Sequence, residues 1–242
     1  MRVAVVSDIH GNLHALEAVL AAIEGDAPDQ VWCLGDLVGY GPKPNECCEL
    51  VEVRATVCLC GNHDLGVLGT IDLDDFSGEA GVAATWTRGV LSAESRSFLD
   101  GLQPLGKAAG VALFHGSARD PVWEYVLSDE AAAATLAISP FPLVLVGHSH
   151  VALQIAATTD DVEGGLARAG TVVDFGDTPT VLNPGSVGQP RDGDPRAAYL
   201  LLDIDERRAE FRRVEYDIAR TQNEMAEAGL PSALAARLAL GF

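Results

Sequence analysis

The sequence predicts an α/β fold with a mainly parallel inner sheet, and three observations predict it. Short valine-rich apolar runs alternate with segments of helical period at the start of the chain. These runs end, again and again, on polar residues. Beyond residue 150 the chain turns strand-rich. Alternating βαβα order implies parallel strands covered by helices.

Each element follows from its local pattern. Residues 2–7 are an apolar run that closes on Ser7 and reads as a buried strand. Asn12 is placed to cap a helix over 12–24, where Leu13, Leu16, Leu20 and Ile23 recur at helical spacing. Val31 to Leu34 is the next strand and runs into Gly35-Asp36; a helix is expected at 43–53. A third strand, Thr56 to Cys60, ends at Gly61-Asn62-His63-Asp64. Two helices are predicted at 77–91 and 92–103, a strand at 110–115 and an Ala-rich helix from Ser128 to Ile138. Residues 142–146 form a strand that leads into Gly147-His148-Ser149-His150. Strands are expected at about 151–157, 166–175, 179–183, 197–204 and 208–215, then helices at about 217–228 and 232–240. No repeat or Pro/Ser-rich linker interrupts the chain, so residues 1–242 read as one domain.

Composition narrows the function classes. The 242 residues are 48% apolar, enough for a sizeable core, with no run long enough for a membrane helix. The N-terminus lacks the apolar stretch of a secretory signal, so a cytoplasmic protein is expected. Sixteen basic against 35 acidic side chains give a net charge of −19, which disfavours stable nucleic-acid or anionic-membrane binding. Five cysteines at irregular spacing read as reduced core thiols. Oligomeric state is not readable.

The chemistry lies in what ends the strands. Five strand ends offer Asp8, Asp36 and Asn62 as oxygen ligands and His10, His115, His148 and His150 as imidazoles. Ligands in open α/β sheets bind at the carboxyl ends of the strands. A nitrogen and oxygen set without thiolate suits manganese first, with iron or zinc as alternatives. Seven ligands exceed one tetrahedral ion but suit two divalent ions sharing a carboxylate, a pair that clamps both oxygens of an in-line displacement at phosphorus. His63 is left over beside a ligand, free for proton transfer.

The ordered set Asp8-x-His10, Gly35-Asp36, Gly61-Asn62-His63-Asp64, His115-Gly116 and Gly147-His148-Ser149-His150 resembles the calcineurin-like metallophosphoesterase superfamily, in its compact prokaryotic phosphodiesterase-like branch. Leu182-Asn183-Pro184-Gly185-Ser186 is similar to the segment that follows the last motif there. The resemblance implies a four-layer α/β/β/α sandwich with a dinuclear metal site at the strand C-terminal ends. It implies that Asp8, His10 and His150 hold one ion, that Asn62, His115 and His148 hold the other, and that Asp36 bridges. It implies that a metal-bridging hydroxide attacks a phosphodiester or small phosphomonoester while His63 acts as general acid or steadies the phosphate. A nucleotide or dinucleoside polyphosphate hydrolase and a protein phosphatase are the rivals within the enzyme class; a non-catalytic metal-containing scaffold is the rival outside it.

Other residues have two readings each. Asn12 either caps the first helix or also meets the phosphate. Arg191 is either a clamp on a phosphate oxygen or, by the stronger expectation, a salt-bridge partner of Asp192 or Asp194. Tyr40 either borders the substrate or packs on its Gly-rich loop, and His14 reads as a partly exposed helix residue.

Overall fold

The computed structural model describes residues 1–159 and 161–242. Its first half alternates as the apolar runs require. Strand β1 (Arg2–Val6) is followed by α1 (Leu13–Asp26), β2 (Gln30–Cys33), α2 (Pro44–Arg54), β3 (Val57–Cys58) and α3 (Asn62–Leu68). Helices α4 (Gly78–Val90) and α5 (Ala93–Asp100) then precede β4 (Leu105–Ala108), β5 (Val111–Phe114), α6 (Asp129–Ile138) and β6 (Leu143–Val146). Six strands follow: β7 (Ala152–Ala157), β8 (Val162–Leu166), β9 (Val172–Asp174), β10 (Thr180–Pro184), β11 (Ala197–Asp203) and β12 (Arg208–Val214). Helices α7 (Ile218–Glu227) and α8 (Ser232–Leu238) complete the order.

The strands form two six-stranded sheets, ordered β3-β2-β1-β11-β12-β9 and β4-β5-β6-β10-β7-β8. In each, three neighbours run parallel: β1, β2 and β3 in the first, β5, β6 and β10 in the second. Side-chain alternation sets the layers. Val3 and Val5 face the second sheet, packing with Trp32, Leu34, Leu113, Leu145 and Leu182. Ala4 and Val6 face the other way, against Leu16, Val19, Leu20 and Ile23 of α1 and Cys47, Cys48 and Val51 of α2. The second sheet buries its outer face, through Val144, Val146 and Ile155, under Ala131 and Ala132 of α6. The result is the expected four-layer sandwich. Among the described residues no helix is long and apolar enough to cross a membrane.

Three expectations need correction. Of the strand expected at 166–175, only Leu166, the last residue of β8, and Val172–Asp174, which are β9, are strand, and the two lie in different sheets. Gly170 sits at φ +80° between them, and that left-handed turn carries the chain from one sheet to the other. Residues 61–64, read as a strand end, instead open α3, with Asp64 accepting the Gly61 N–H at 2.9 Å. The helix expected to reach 103 stops at Asp100, ahead of Gly101 and Pro104. Strand β4 was not foreseen: Gly106 and Ala108 give it little apolar signal.

Candidate metal centre

The parallel strands of both sheets end at one place, and every expected ligand follows one of them. Asp8 and His10 follow β1, Asp36 follows β2, and Asn62 opens α3 just after β3. His115 follows β5, and His148 and His150 follow β6. The loops are laced by backbone bonds: Asp8 N–H to the Gly35 carbonyl (3.0 Å), His10 N–H to that of Asp36 (2.9 Å) and Gly188 N–H to that of Asp8 (2.9 Å).

Two ligand groups result, with Asp36 in both. Asp8, His10, Asp36 and His150 converge on one point; Asp36, His115 and His148 converge on another. Asn62 belongs with the second, its Oδ1 lying 3.3 Å from His115 Nε2. All seven are buried. The backbone is bent to reach this arrangement: Asp8, His10, Asp36, His148 and His150 all hold φ between 51° and 64°. Non-glycine residues in this region cost about 1–3 kcal/mol each and gather at functional sites.

Hydrogen bonds fix which ring nitrogen is free. A carbonyl only accepts, so Nδ1 of His10 donates to Val38 (3.0 Å), that of His115 to Leu34 (2.9 Å) and that of His150 to Gln189 (2.6 Å). His148 is reversed, its Nε2 donating to the Trp123 carbonyl at 3.1 Å. Burial lowers the pKa of His10 and His150 well below the usual range, so neither carries a second proton at neutral pH. Their Nε2 lone pairs therefore face each other across 3.0 Å. Asp36 Oδ2, buried without a hydrogen-bond partner, lies 3.5 Å from His10 Nε2 and 3.4 Å from His115 Nε2. Acceptors converging on acceptors in a dry site call for a cation. The residues fit two divalent ions.

The charges agree. Burial works against both His115 and Asp36, but their attraction outweighs it, carrying the imidazole up to about 9 and holding the carboxyl well below its usual range. In the metal-free protein a proton on His115 takes the place of a metal ion. Burial, aided by the charge on Asp36, pushes Asp8 up to about 7.

With the geometry in view, the comparisons decide the family. Residues 1–207 match the calcineurin-like phosphoesterase superfamily domain. The chain belongs to this superfamily. It is similar to a metallophosphoesterase of known structure from Sphaerobacter thermophilus, 44% identical over 100% of this chain and 99% of that one, with a TM-score of 0.91. An uncharacterised protein of Methanocaldococcus jannaschii is 39% identical across 99% of this chain and 98% of its own length. A symmetrical bis(5′-nucleosyl)-tetraphosphatase of Ectopseudomonas mendocina is 42% identical over 71 residues, 28% of this chain and 26% of that protein. The chain is therefore a metal-dependent phosphoesterase, a hydrolase.

Around the ligands of this phosphoesterase, other expected residues take definite places. His63 is buried, its N–H donating to Asp36 Oδ1 (2.9 Å) and its Nδ1 without a partner. Its ring packs on Tyr40 (4.4 Å) and Phe76 (5.0 Å), and burial lowers its pKa to about 4. Arg191 departs from the favoured expectation. Asp192 pairs with Arg213 and Asp194 with Arg196, because the β12 and loop arginines reach those carboxylates first. Arg191 instead bonds the Tyr40 hydroxyl (3.2 Å) and Gln189 Oε1 (3.1 Å), and its buried Nε has no partner. Tyr40 both packs against His10 (4.5 Å) and borders this guanidinium. Asn12 caps α1, and its amide donates to the Gly188 carbonyl (2.8 Å) and the Tyr216 hydroxyl (3.2 Å). A phosphate could take an Asn12 hydrogen only by displacing one of these bonds. His14 lies on α1, partly exposed as expected, and bonds Glu224 of α7 at 3.0 Å.

Several site residues escaped the sequence reading. Asp64 accepts the backbone N–H groups of Leu37 (2.9 Å) and Val38 (3.1 Å) as well as that of Gly61, and so shapes the Asp36 loop. Asn183 bonds the Gly147 carbonyl (2.7 Å), and Ser186 that of Asp8 (2.7 Å). Asp64, Asn183 and Ser186 all lie inside motifs that the reading quoted, so position was the available signal. Trp123, whose carbonyl fixes His148, lies in no motif and left none.

Proposed function

We propose that the chain, acting as a single domain over residues 1–242, hydrolyses phosphodiesters or small phosphomonoesters with two manganese ions bound at this cluster. The observation that carries this reading is the convergence of the His10 and His150 lone pairs beside the unpartnered Asp36 Oδ2. Asp8, His10 and His150 would hold one ion, Asn62, His115 and His148 the other, and Asp36 would bridge them. Bound there, the ions supply Lewis-acid polarisation of phosphoryl oxygens and a lowered pKa for water. Iron or zinc suits the same donors, and cellular supply decides among them.

The protein's own groups do the rest. His63, whose backbone N–H bonds the shared carboxylate Asp36, is placed to hydrogen-bond the phosphate or, once the phosphate's charge raises its lowered pKa, to protonate the leaving oxygen. Arg191, a guanidinium without a carboxylate partner among the described residues, would take a phosphate oxygen, and Asn12 would hold the loop beneath it. A local cationic centre draws in a small anion, whereas the net charge of −19 repels a polyanion. The substrate is then a small ester, with nucleic acid and membranes excluded as stable partners and the cytoplasm as the place of action.

A second reading, hydrolysis of a nucleotide phosphoanhydride, is favoured by the likeness to symmetrical tetraphosphatases, which covers about a quarter of each chain. Initial rates of metal-stripped protein supplied with Mn(II), on bis(p-nitrophenyl) phosphate and p-nitrophenyl phosphate, test the choice. Release from the diester above the monoester supports the phosphodiesterase. Preference for the monoester redirects it to phosphomonoesters and nucleotides. Silence on both with two metals bound counts for the scaffold.

A further inference from the structure

An arc of aromatic rings borders the cluster, and the hydrolytic reading does not use it. Phe76 meets His63 edge-on at 5.0 Å and Trp123 at 5.3 Å. Tyr125 lies parallel to His148, 4.2 Å between centroids and 11° between planes. The arc thus runs from the unligated imidazole to a metal-ligand imidazole. Tyr125 is 47% exposed, although one of its faces is covered by His148. Its other face is left as a flat apolar surface one ring away from a metal ligand.

That surface is held firmly. Asp120 accepts the N–H groups of Val122 and Trp123 (both 3.0 Å), Glu124 pairs with Ser117 and Arg119, and the Trp123 carbonyl is bonded to His148. A ring covered on one face only, on a braced loop, is pre-organised to receive a planar group. We propose that the open face of Tyr125, backed by His148 and flanked by Trp123, stacks the nucleobase of a mononucleotide whose phosphate lies at the metal cluster. This rests on the phosphoesterase reading and names its substrate class.

The chemistry selects this ligand. Stacking needs no charge, so a protein of net charge −19 can hold the nucleoside end without a basic surface. The phosphate end would meet Arg191, which has no carboxylate partner among the described residues. A longer nucleic acid would bring further phosphates into an acidic surface and lose that advantage.

Calorimetry on the manganese-loaded protein tests this with AMP and ribose 5-phosphate, each as its phosphonate analogue, whose C–P bond hydrolysis does not cleave, so that the pair differs at the base. AMP should bind about tenfold tighter, the usual scale of one base stacked on one ring. Tyr125→Ala should weaken AMP to the level of ribose 5-phosphate and leave the latter unchanged, while Tyr125→Phe keeps the preference. Equal affinity of the two ligands in the unaltered protein overturns the proposal. So does equal weakening of both by Tyr125→Ala, which would mark Tyr125 as a support for His148 alone. Release of p-nitrophenol by the same preparation reports separately on the phosphoesterase reading, since binding is read without turnover.

Discussion

His10 and His150 face each other with lone pairs toward lone pairs, and that local conflict is the reason for a cation at this place. At the same scale, His115 carries a proton in the metal-free protein up to about pH 9, because Asp36 and Asp8 outweigh its burial. A metal must displace that proton, so its apparent affinity should fall as pH drops below 9 and level off above it. Titration calorimetry in buffers of different ionisation enthalpy should show more than one proton released at pH 7, close to one from His115 and about half of one from Asp8. No release would place the ion elsewhere. His63 lies outside both groups that could hold an ion, so His63→Ala should retain both metals and lose about 10²–10⁴-fold in turnover. Unchanged turnover would remove its role. Asp36→Asn should instead cut metal content, because the bridging charge goes; metal analysis of the purified variant reads this directly.

At the scale of elements, the site is a set of strand ends held by short polar braces. Asp64, at the start of α3, satisfies three backbone N–H groups of neighbouring loops. Asp64→Ala should cost on the order of 3 kcal/mol in denaturant unfolding and weaken metal binding as well. Gly61→Ala should also lose metal, since a Cβ there overlaps Asp36 Oδ1 and crowds the His115 ring. A variant with full metal content would show that the loop can yield. The seven ligands and their strands were legible because each pairs a valine-rich run with a polar stop in the same few residues, as at Val3 to Asp8. Arg191 was misjudged because Asp192 and Asp194 adjoin it in sequence, while their partners, Arg213 and Arg196, are settled by the fold. Tyr125 was invisible for a similar reason: its neighbour His148 is distant in sequence and follows another strand. The break between β8 and β9 was missed because apolar residues flank Gly170 on both sides and hide the turn.

Across the whole molecule, two sheets with three parallel strands each bring their carboxyl ends to one rim, and no single sheet supplies the site. The first provides Asp8, His10, Asp36 and Asn62; the second provides His115, His148 and His150. Metals should therefore lock the sheets together. Chelation should lower the thermal midpoint, and restored manganese should recover about 2.7 kcal/mol for each ion at a hundredfold excess over its dissociation constant. An unchanged midpoint would mean that the ions do not bind the folded rim. Two ions acting together within these seven residues should be visible in a single titration. Manganese is added to metal-stripped protein while p-nitrophenol release from bis(p-nitrophenyl) phosphate is followed. The rate should rise and break at two equivalents per chain; full activity at one equivalent, or no release with two ions bound, would rule out two ions acting together.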